Sequence, residues 1–83
     1  MSEKVIPLTR METGQSGTVI QIEGGIGLVS RLTALGVRPG KRITKVSSMF
    51  MRGPVIIEME RTQFAIGFGM ANRVMVKLEE TKK

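Results

Sequence analysis

One stretch of the sequence, residues 24–40, combines a short helix signal with a strong stop signal at its C-terminal end and a weaker start signal. Leucines recur at helical spacing in its middle and predict a helix over roughly 26–35. Gly36 can take the left-handed conformation that ends a helix, and Pro39 prevents the helix from continuing. The chain must therefore fold around one short helix that lies between two turns.

Glycine and proline predict the turns on both sides of this helix. Gly24 and Gly25 precede it and offer no side-chain cap, whereas Pro39-Gly40 fits the centre of a type II turn with a positive φ at Gly40. The glycine run before the helix lacks the Lys and Ser/Thr of a phosphate-binding loop, so turn formation is favoured over phosphate binding. The residues predicted to serve as structural turns are Gly24, Gly25, Gly36, Pro39, Gly40, Gly53 and Pro54.

In most of the rest of the chain, the residue pattern predicts short strands separated by tight turns. Residues 55–59 give the clearest strand pattern, because apolar side chains expected to face inward alternate there with side chains expected to face outward. Pro7 restricts any strand near the N-terminus to a sheet edge, and Gly14 and Gly17 mark the turn into the first full strand. We expect a single domain over residues 1–83, mainly β, folded as a small, partly open barrel of about five strands.

The sequence also gives specific expectations for two strand segments and for the C-terminal tail. Alternation within residues 18–23 places Ile20 and Ile22 on one face and Val19 on the other. Ile43 and Val46 are three residues apart, so they share a face only if a bulge intervenes. Residues 79–83 are expected to form a charged, frayed tail.

Composition excludes several classes of function. The chain has no Cys and no His, and its seven acidic residues are all Glu. It therefore lacks disulfides, thiolate chemistry and the side chain most often used as a general base and metal ligand. We expect no enzymatic activity, no cofactor and no metal site, since glutamates alone would hold a cation weakly.

The net charge of +6 is concentrated in one window. No acidic residue lies between Glu23 and Glu58. This window could be a contact surface for an acidic protein, nucleic acid or anionic lipid, or simply a solvated face. Its six basic residues are Arg31, Arg38, Lys41, Arg42, Lys45 and Arg52.

No apolar run approaches the length of a membrane span, and the N-terminal residues lack the apolar core of a signal peptide. These features predict a cytoplasmic location. The chain has only three aromatic residues, all Phe, and so lacks the surfaces on which bases usually stack.

In sequence order, several short motifs resemble the ferrous iron transport protein A (FeoA) family. They are Gly17-Thr18-Val19-Ile20, Gly24-Gly25, Arg31-Leu32, Leu35-Gly36-Val37, Pro39-Gly40, Ile43, Gly53-Pro54-Val55, Ala65-Ile66 and residues 71–76. The resemblance extends over residues 8–78. It departs from the family at residues 60–63, which lack the usual turn glycine, and at Gly67, near which a basic residue is typical.

The resemblance implies an SH3-like barrel with a helix inserted after an early strand. It also implies a small cytosolic accessory protein of bacterial ferrous iron uptake, whose partner is the cytoplasmic part of the membrane permease FeoB, which carries a GTPase domain. The alternative is a basic nucleic-acid-binding or transcription-regulator-associated module of the same fold, which the scarcity of aromatic residues disfavours. A free barrel edge and exposed methionines would also permit weak self-association.

We expect the partner surface to combine the helix end with the loop after the following strand. The loop methionines could repack against a partner, or could instead plug one end of the barrel. The predicted contact residues are Arg31, Leu35, Val37, Arg38, Met49, Phe50, Met51 and Arg52.

Overall fold

A computed structural model describes residues 4–48 and 53–79 of the chain. Its strands are β1 (Val5–Pro7), β2 (Ser16–Ile22), β3 (Arg42–Ser48), β4 (Val55–Met59), β5 (Thr62–Ile66) and β6 (Val74–Leu78). Its helices are α1 (Ile26–Ala34) and α2 (Phe68–Ala71), and a single 3₁₀ turn covers Leu8–Arg10. The predicted helix is thus confirmed to within one residue at its C-terminal end.

The six strands form one antiparallel sheet in the order β1-β6-β2-β3-β4-β5. The mainly β, partly open architecture is confirmed, with β1 and β5 as its two edges. Strand β1 ends in Pro7 and occupies an edge, as a residue without a backbone N–H requires.

One hydrophobic core lies inside the curved sheet and beneath α1. Strand β4 alternates as predicted, with its first, third and fifth side chains buried. The helix contributes Leu32, while Leu8 and Met11 anchor the N-terminal segment. The buried apolar residues are Leu8, Met11, Val19, Leu32, Val37, Ile43, Val55, Ile57, Met59, Ile66, Ala71, Val74 and Val76.

Bulges change the alternation of both irregular strands. In β2 the register with β6 shifts between Val19 and Gln21. Val19 and Ile22 therefore both pack into the core, and Ile20 is left 41% exposed. The expectation that Ile20 and Ile22 share a face is wrong, because the bulge adds one residue to the strand.

A bulge, the condition under which Ile43 and Val46 could share a face, is present in β3, since the register with β4 shifts between Lys45 and Ser47. Ile43 is buried and Val46 is half-buried. The buried neighbour of Ile43 on the same face is Lys45, which the sequence pattern did not indicate.

Gly17 lies inside β2 rather than in the turn before it, so that part of the turn prediction is wrong. A Cβ atom on Gly17 would lie 2.5 Å from Val76 Cγ1 and 2.7 Å from the carbonyl oxygen of Lys77. The residue therefore permits close approach of β2 and β6. Gly14, with φ +92°, does lie in a turn.

The C-terminal segment is held at Glu79, contrary to the expectation of fraying from that residue. Its backbone N–H donates to the Ser16 carbonyl oxygen at 3.0 Å, and its carboxylate pairs with Arg42. Residues 80–83 lie outside the described part of the chain.

Within residues 4–48 and 53–79, no helix has both the length and the apolar character needed to cross a membrane.

Candidate functional site

The C-terminal end of α1 is closed by two backbone hydrogen bonds around Gly36. Gly36 N–H donates to the Thr33 carbonyl oxygen at 2.8 Å, and Val37 N–H donates to the Leu32 carbonyl oxygen at 2.9 Å. With φ +94° at Gly36, these bonds form a Schellman motif. The motif turns Val37 into the core and leaves Leu35 at the surface with 46% of its area exposed.

A second turn follows directly and fixes the backbone around Arg38. Lys41 N–H donates to the Arg38 carbonyl oxygen at 3.1 Å, and Gly40 has the positive φ, +97°, that a type II turn requires. The N–H of Gly40 also donates to the Val19 carbonyl oxygen at 2.7 Å, which ties the turn to β2. The sequence predicted this turn correctly.

A cleft of about 380 Å³ lies between this end of α1 and the β4–β5 hairpin. Apolar side chains from both sides line it, among them Leu35 from the helix and the half-buried Phe64 from β5. Its full lining is Thr33, Ala34, Leu35, Gly36, Arg38, Lys41, Met59, Glu60, Thr62 and Phe64.

Three charged side chains lie at this cleft. Lys41 Nζ lies 2.7 Å from Glu60 Oε2, and this hydrogen bond and the lysine's charge hold the pKa of the Glu60 carboxyl below its usual range. The nearby positive charge of Arg38 lowers the pKa of Glu60 further. Arg38 itself is exposed and forms no ion pair or side-chain hydrogen bond with any residue in the described part of the chain. The cleft thus offers an apolar wall beside an arginine that forms no direct ion pair with any described residue.

The basic window is less available than its sequence suggests. Lys41 pairs with Glu60, and Arg42 pairs with Glu79 through its Nε and Nη2 atoms. Lys45 is buried inside the barrel, so the assignment of its charge to a surface is wrong. Two exposed arginines of the window, Arg31 and Arg38, form no direct ion pair with any residue of 4–48 or 53–79.

The structure brings together some of the predicted contact residues and separates others. Leu35 and Arg38 both line the cleft, whereas Arg31 is exposed on α1 outside the cleft lining. Val37 is fully buried, so its predicted role as a surface contact is wrong: the Schellman motif directs it inward. Met49, Phe50, Met51 and Arg52 lie outside the described residues.

The predicted turn residues occupy the two ends of α1 and the start of β4. Gly24 has φ +136°, and Gly25 precedes the helix in an extended conformation without a described side-chain cap. Gly53 and Pro54 lie directly before β4, in a segment without regular secondary structure.

The β4–β5 hairpin contributes site residues that the sequence pattern did not identify, namely Met59, Glu60, Thr62 and Phe64. Alternation did place Phe64 on the inner face. A partly open barrel exposes the inner face of its sheet beside an edge strand. The expected partly open barrel and the inward position of Phe64 could therefore together have indicated the cleft.

Among residues 4–48 and 53–79, no group of three or more His, Cys, Asp or Glu side chains is arranged to hold a metal ion.

An antiparallel sheet curved around one core, with a single helix inserted after an early strand, defines a small SH3-like barrel. The chain belongs to the FeoA family, because the family model described as "FeoA domain" matches residues 6–78. This membership confirms the resemblance noted in the sequence.

Individual relatives agree with this assignment. A curated protein of Methanocaldococcus jannaschii named "Putative Fe(2+) transport protein A" is 32% identical over 71 residues, which cover 86% of this chain and 84% of the relative. The crystal structure of "Iron Uptake Regulatory Protein (FeoA)" superimposes with a TM-score of 0.84 at 41% identity, covering 92% of this chain and 99% of that one.

A "Manganese-dependent transcriptional repressor" shares the fold alone. It superimposes with a TM-score of 0.85 at 15% identity, and the match covers 95% of this chain but 44% of the repressor. The barrel thus also occurs as one part of a larger regulatory protein, so fold alone does not define the role of this chain.

Proposed function

We propose that this chain is a cytoplasmic, non-enzymatic accessory protein of ferrous iron uptake that docks on the cytoplasmic part of the permease FeoB. The docking site is the cleft between the end of α1 and the β4–β5 hairpin, with Leu35 as its apolar contact and Arg38 as its ionic contact.

The proposal rests on one observation: Leu35 and Arg38 line the same cleft. An exposed leucine on a helix end that is rigidly capped offers apolar area at little entropic cost. Arg38 beside it forms no direct ion pair with any described residue and can therefore pair with a carboxylate of the partner in two hydrogen bonds. Arginine is among the residues that most often dominate protein–protein binding energy.

The charge arrangement argues against nucleic acid as the principal ligand. A nucleic-acid surface requires a cluster of cations that can neutralise several phosphates. Here Lys41 and Arg42 are paired with carboxylates, and Lys45 is buried. Those three residues provide half of the basic window.

Titration calorimetry of the full chain against the soluble cytoplasmic domain of FeoB tests the proposal, with random RNA and DNA pools measured in parallel. We expect saturable binding to the FeoB domain that persists at physiological salt. Binding to nucleic acid alone, with affinity falling steeply as salt rises, would contradict the proposal and favour the alternative function.

A matched pair of variants locates the contact. Leu35→Glu should weaken binding at least about tenfold, a loss of about 1.4 kcal/mol. Ile26→Glu is the control, since Ile26 is 87% exposed on the same helix but does not line the cleft. Equal effects of the two substitutions would show that the contact lies elsewhere on the chain.

A further inference from the structure

Strand β5 is an edge of the sheet, and its outer side faces no other strand in the part of the chain that the structure describes. Met59 and Thr62 are paired and flank a two-residue turn. In a hairpin with such a turn, the two flanking residues form a hydrogen-bonded pair. Hydrogen-bonded and non-hydrogen-bonded pairs alternate along an antiparallel ladder. Gln63 and Ala65 therefore direct their backbone N–H and C=O groups away from β4.

These outward groups are accessible. Gln63 and Ala65 are both exposed, and their backbone groups make no hydrogen bond with any residue of 4–48 or 53–79. A row of unpaired donors and acceptors on an edge strand is a template for pairing with another strand.

The cleft lies on the inner face at this same edge. Thr62 and Phe64 alternate with Gln63 and Ala65 along β5, and both line the cleft. Leu35 lines the cleft from the helix side. A strand laid against the free edge would direct every second side chain toward that inner face.

We propose that β5 receives an extended, acidic segment of the partner as an additional strand, with an apolar side chain of that segment in the cleft. The inference rests on the proposed function for the identity of the partner. Backbone hydrogen bonds to Gln63 and Ala65 supply affinity, and the cleft supplies specificity for one side chain.

The acidic character of the segment follows from the charges at the cleft. Glu60 forms its direct ion pair with Lys41, whereas Arg38 forms none with any described residue. The chain as a whole carries a net charge of +6. A carboxylate next to the inserted apolar side chain would complement Arg38, and a basic segment would be repelled.

Amide hydrogen exchange measured by NMR, on the full chain with and without the cytoplasmic domain of FeoB, tests the strand addition directly. Saturation should slow exchange at the Gln63 and Ala65 amides at least about tenfold, since newly bonded amides become protected. The Phe64 amide is directed toward β4 and serves as the internal reference, with a much smaller change expected.

The possible results separate this inference from the proposed function. Saturable binding that leaves both amides unprotected would overturn strand addition and leave docking on FeoB intact. Absence of any binding would contradict the proposed function and this inference with it. Protection that depends on the concentration of the chain alone would assign the edge to β5–β5 pairing between two copies, and would also overturn it.

Two pairs of variants add independent tests. Ala65→Pro removes one outward N–H at an edge position where proline is tolerated, and should weaken binding at least about tenfold. Ala65→Val retains the N–H and is its control. If Ala65→Pro does not fold, as judged by circular dichroism, the exchange experiment decides.

Arg38→Gln tests the acidic character of the segment. It should weaken binding and flatten its salt dependence, whereas Arg10→Gln, an exposed arginine outside the cleft, should do neither. Unchanged affinity in Arg38→Gln would overturn the acidic assignment.

Discussion

The ammonium group of Lys45 donates a hydrogen bond to the main-chain carbonyl oxygen of Met11 at 2.6 Å, inside the barrel. It donates a second to the carbonyl oxygen of Thr9 at 3.1 Å, and the side chain is only 3% exposed. Burial lowers the pKa of this ammonium group, because a charge loses hydration there. Lys45 therefore links β3 to the segment that follows β1 through two carbonyl groups, with no ion pair to any residue of 4–48 or 53–79.

Replacing this lysine should destabilise the fold. Lys45→Met fills much of the same volume but leaves the Thr9 and Met11 carbonyl oxygens without their donor. We expect the free energy of unfolding to fall by about 1.5–3 kcal/mol, the range for a hydrogen bond that involves a charged group. Urea denaturation followed by circular dichroism measures this change, with the exposed Lys4→Met as the control. A loss no greater than that of the control would show that water replaces the ammonium group.

Gly17 should be intolerant of even a methyl group. An added Cβ would meet Val76 and the Lys77 carbonyl group at distances that force β2 and β6 apart. We expect Gly17→Ala to cost about 1–3 kcal/mol of stability, as overpacking does in other cores. Thermal denaturation of Gly17→Ala and Gly27→Ala compares the two environments, because a Cβ on Gly27 of α1 has no atom within 4 Å. Gly27→Ala should be neutral or stabilising, and equal losses in both variants would contradict this account.

Local chemistry made the helix region predictable from the sequence. The turns at Gly36 and Gly40 require a positive φ, which glycine adopts without steric cost, and Pro39, which lies between them, has a fixed φ, so α1 and both turns after it were predicted correctly. Clean alternation likewise identified β4. These features need no knowledge of distant neighbours.

The errors arose where distant parts of the chain decide the outcome. The bulge at Ile20 depends on pairing with β6, and the burial of Lys45 depends on carbonyl groups more than thirty residues away in sequence. The cleft itself was not predicted: Leu35 and Arg38 were expected as contact residues, but the other wall comes from the β4–β5 hairpin. Residue spacing cannot show which two elements form the walls of a cleft.

The β4–β5 turn offers a stabilising substitution. Glu60 and Arg61 have φ values of +52° and +68°, which are unfavourable for residues with a Cβ and are those that a type I′ turn requires. Glycine at the second position relieves this strain, so Arg61→Gly should raise the free energy of unfolding by about 1 kcal/mol. Glu60 is retained because it pairs with Lys41. Chemical denaturation measures the gain, and Gln63→Gly in β5, where glycine weakens a strand, should lower stability instead.

The ion pair between Glu79 and Arg42 should make stability depend on acid pH. The hydrogen bond from Arg42 holds the pKa of the Glu79 carboxyl below its ordinary value. A group whose pKa is lowered by folding contributes stability above its unfolded pKa, and that contribution is lost as the pH falls through the folded pKa. Glu79→Gln lacks the contribution, so its Tm should lie below that of the unmodified chain near neutral pH. The two Tm values should converge as the pH falls below the lowered pKa of Glu79.

Differential scanning calorimetry across this pH range measures the convergence. Glu12→Gln is the control, because Glu12 is exposed and forms no ion pair within the described ranges. Equal Tm values near neutral pH would show that Glu79 stabilises the chain only through its backbone bond to Ser16, which Glu79→Gln retains.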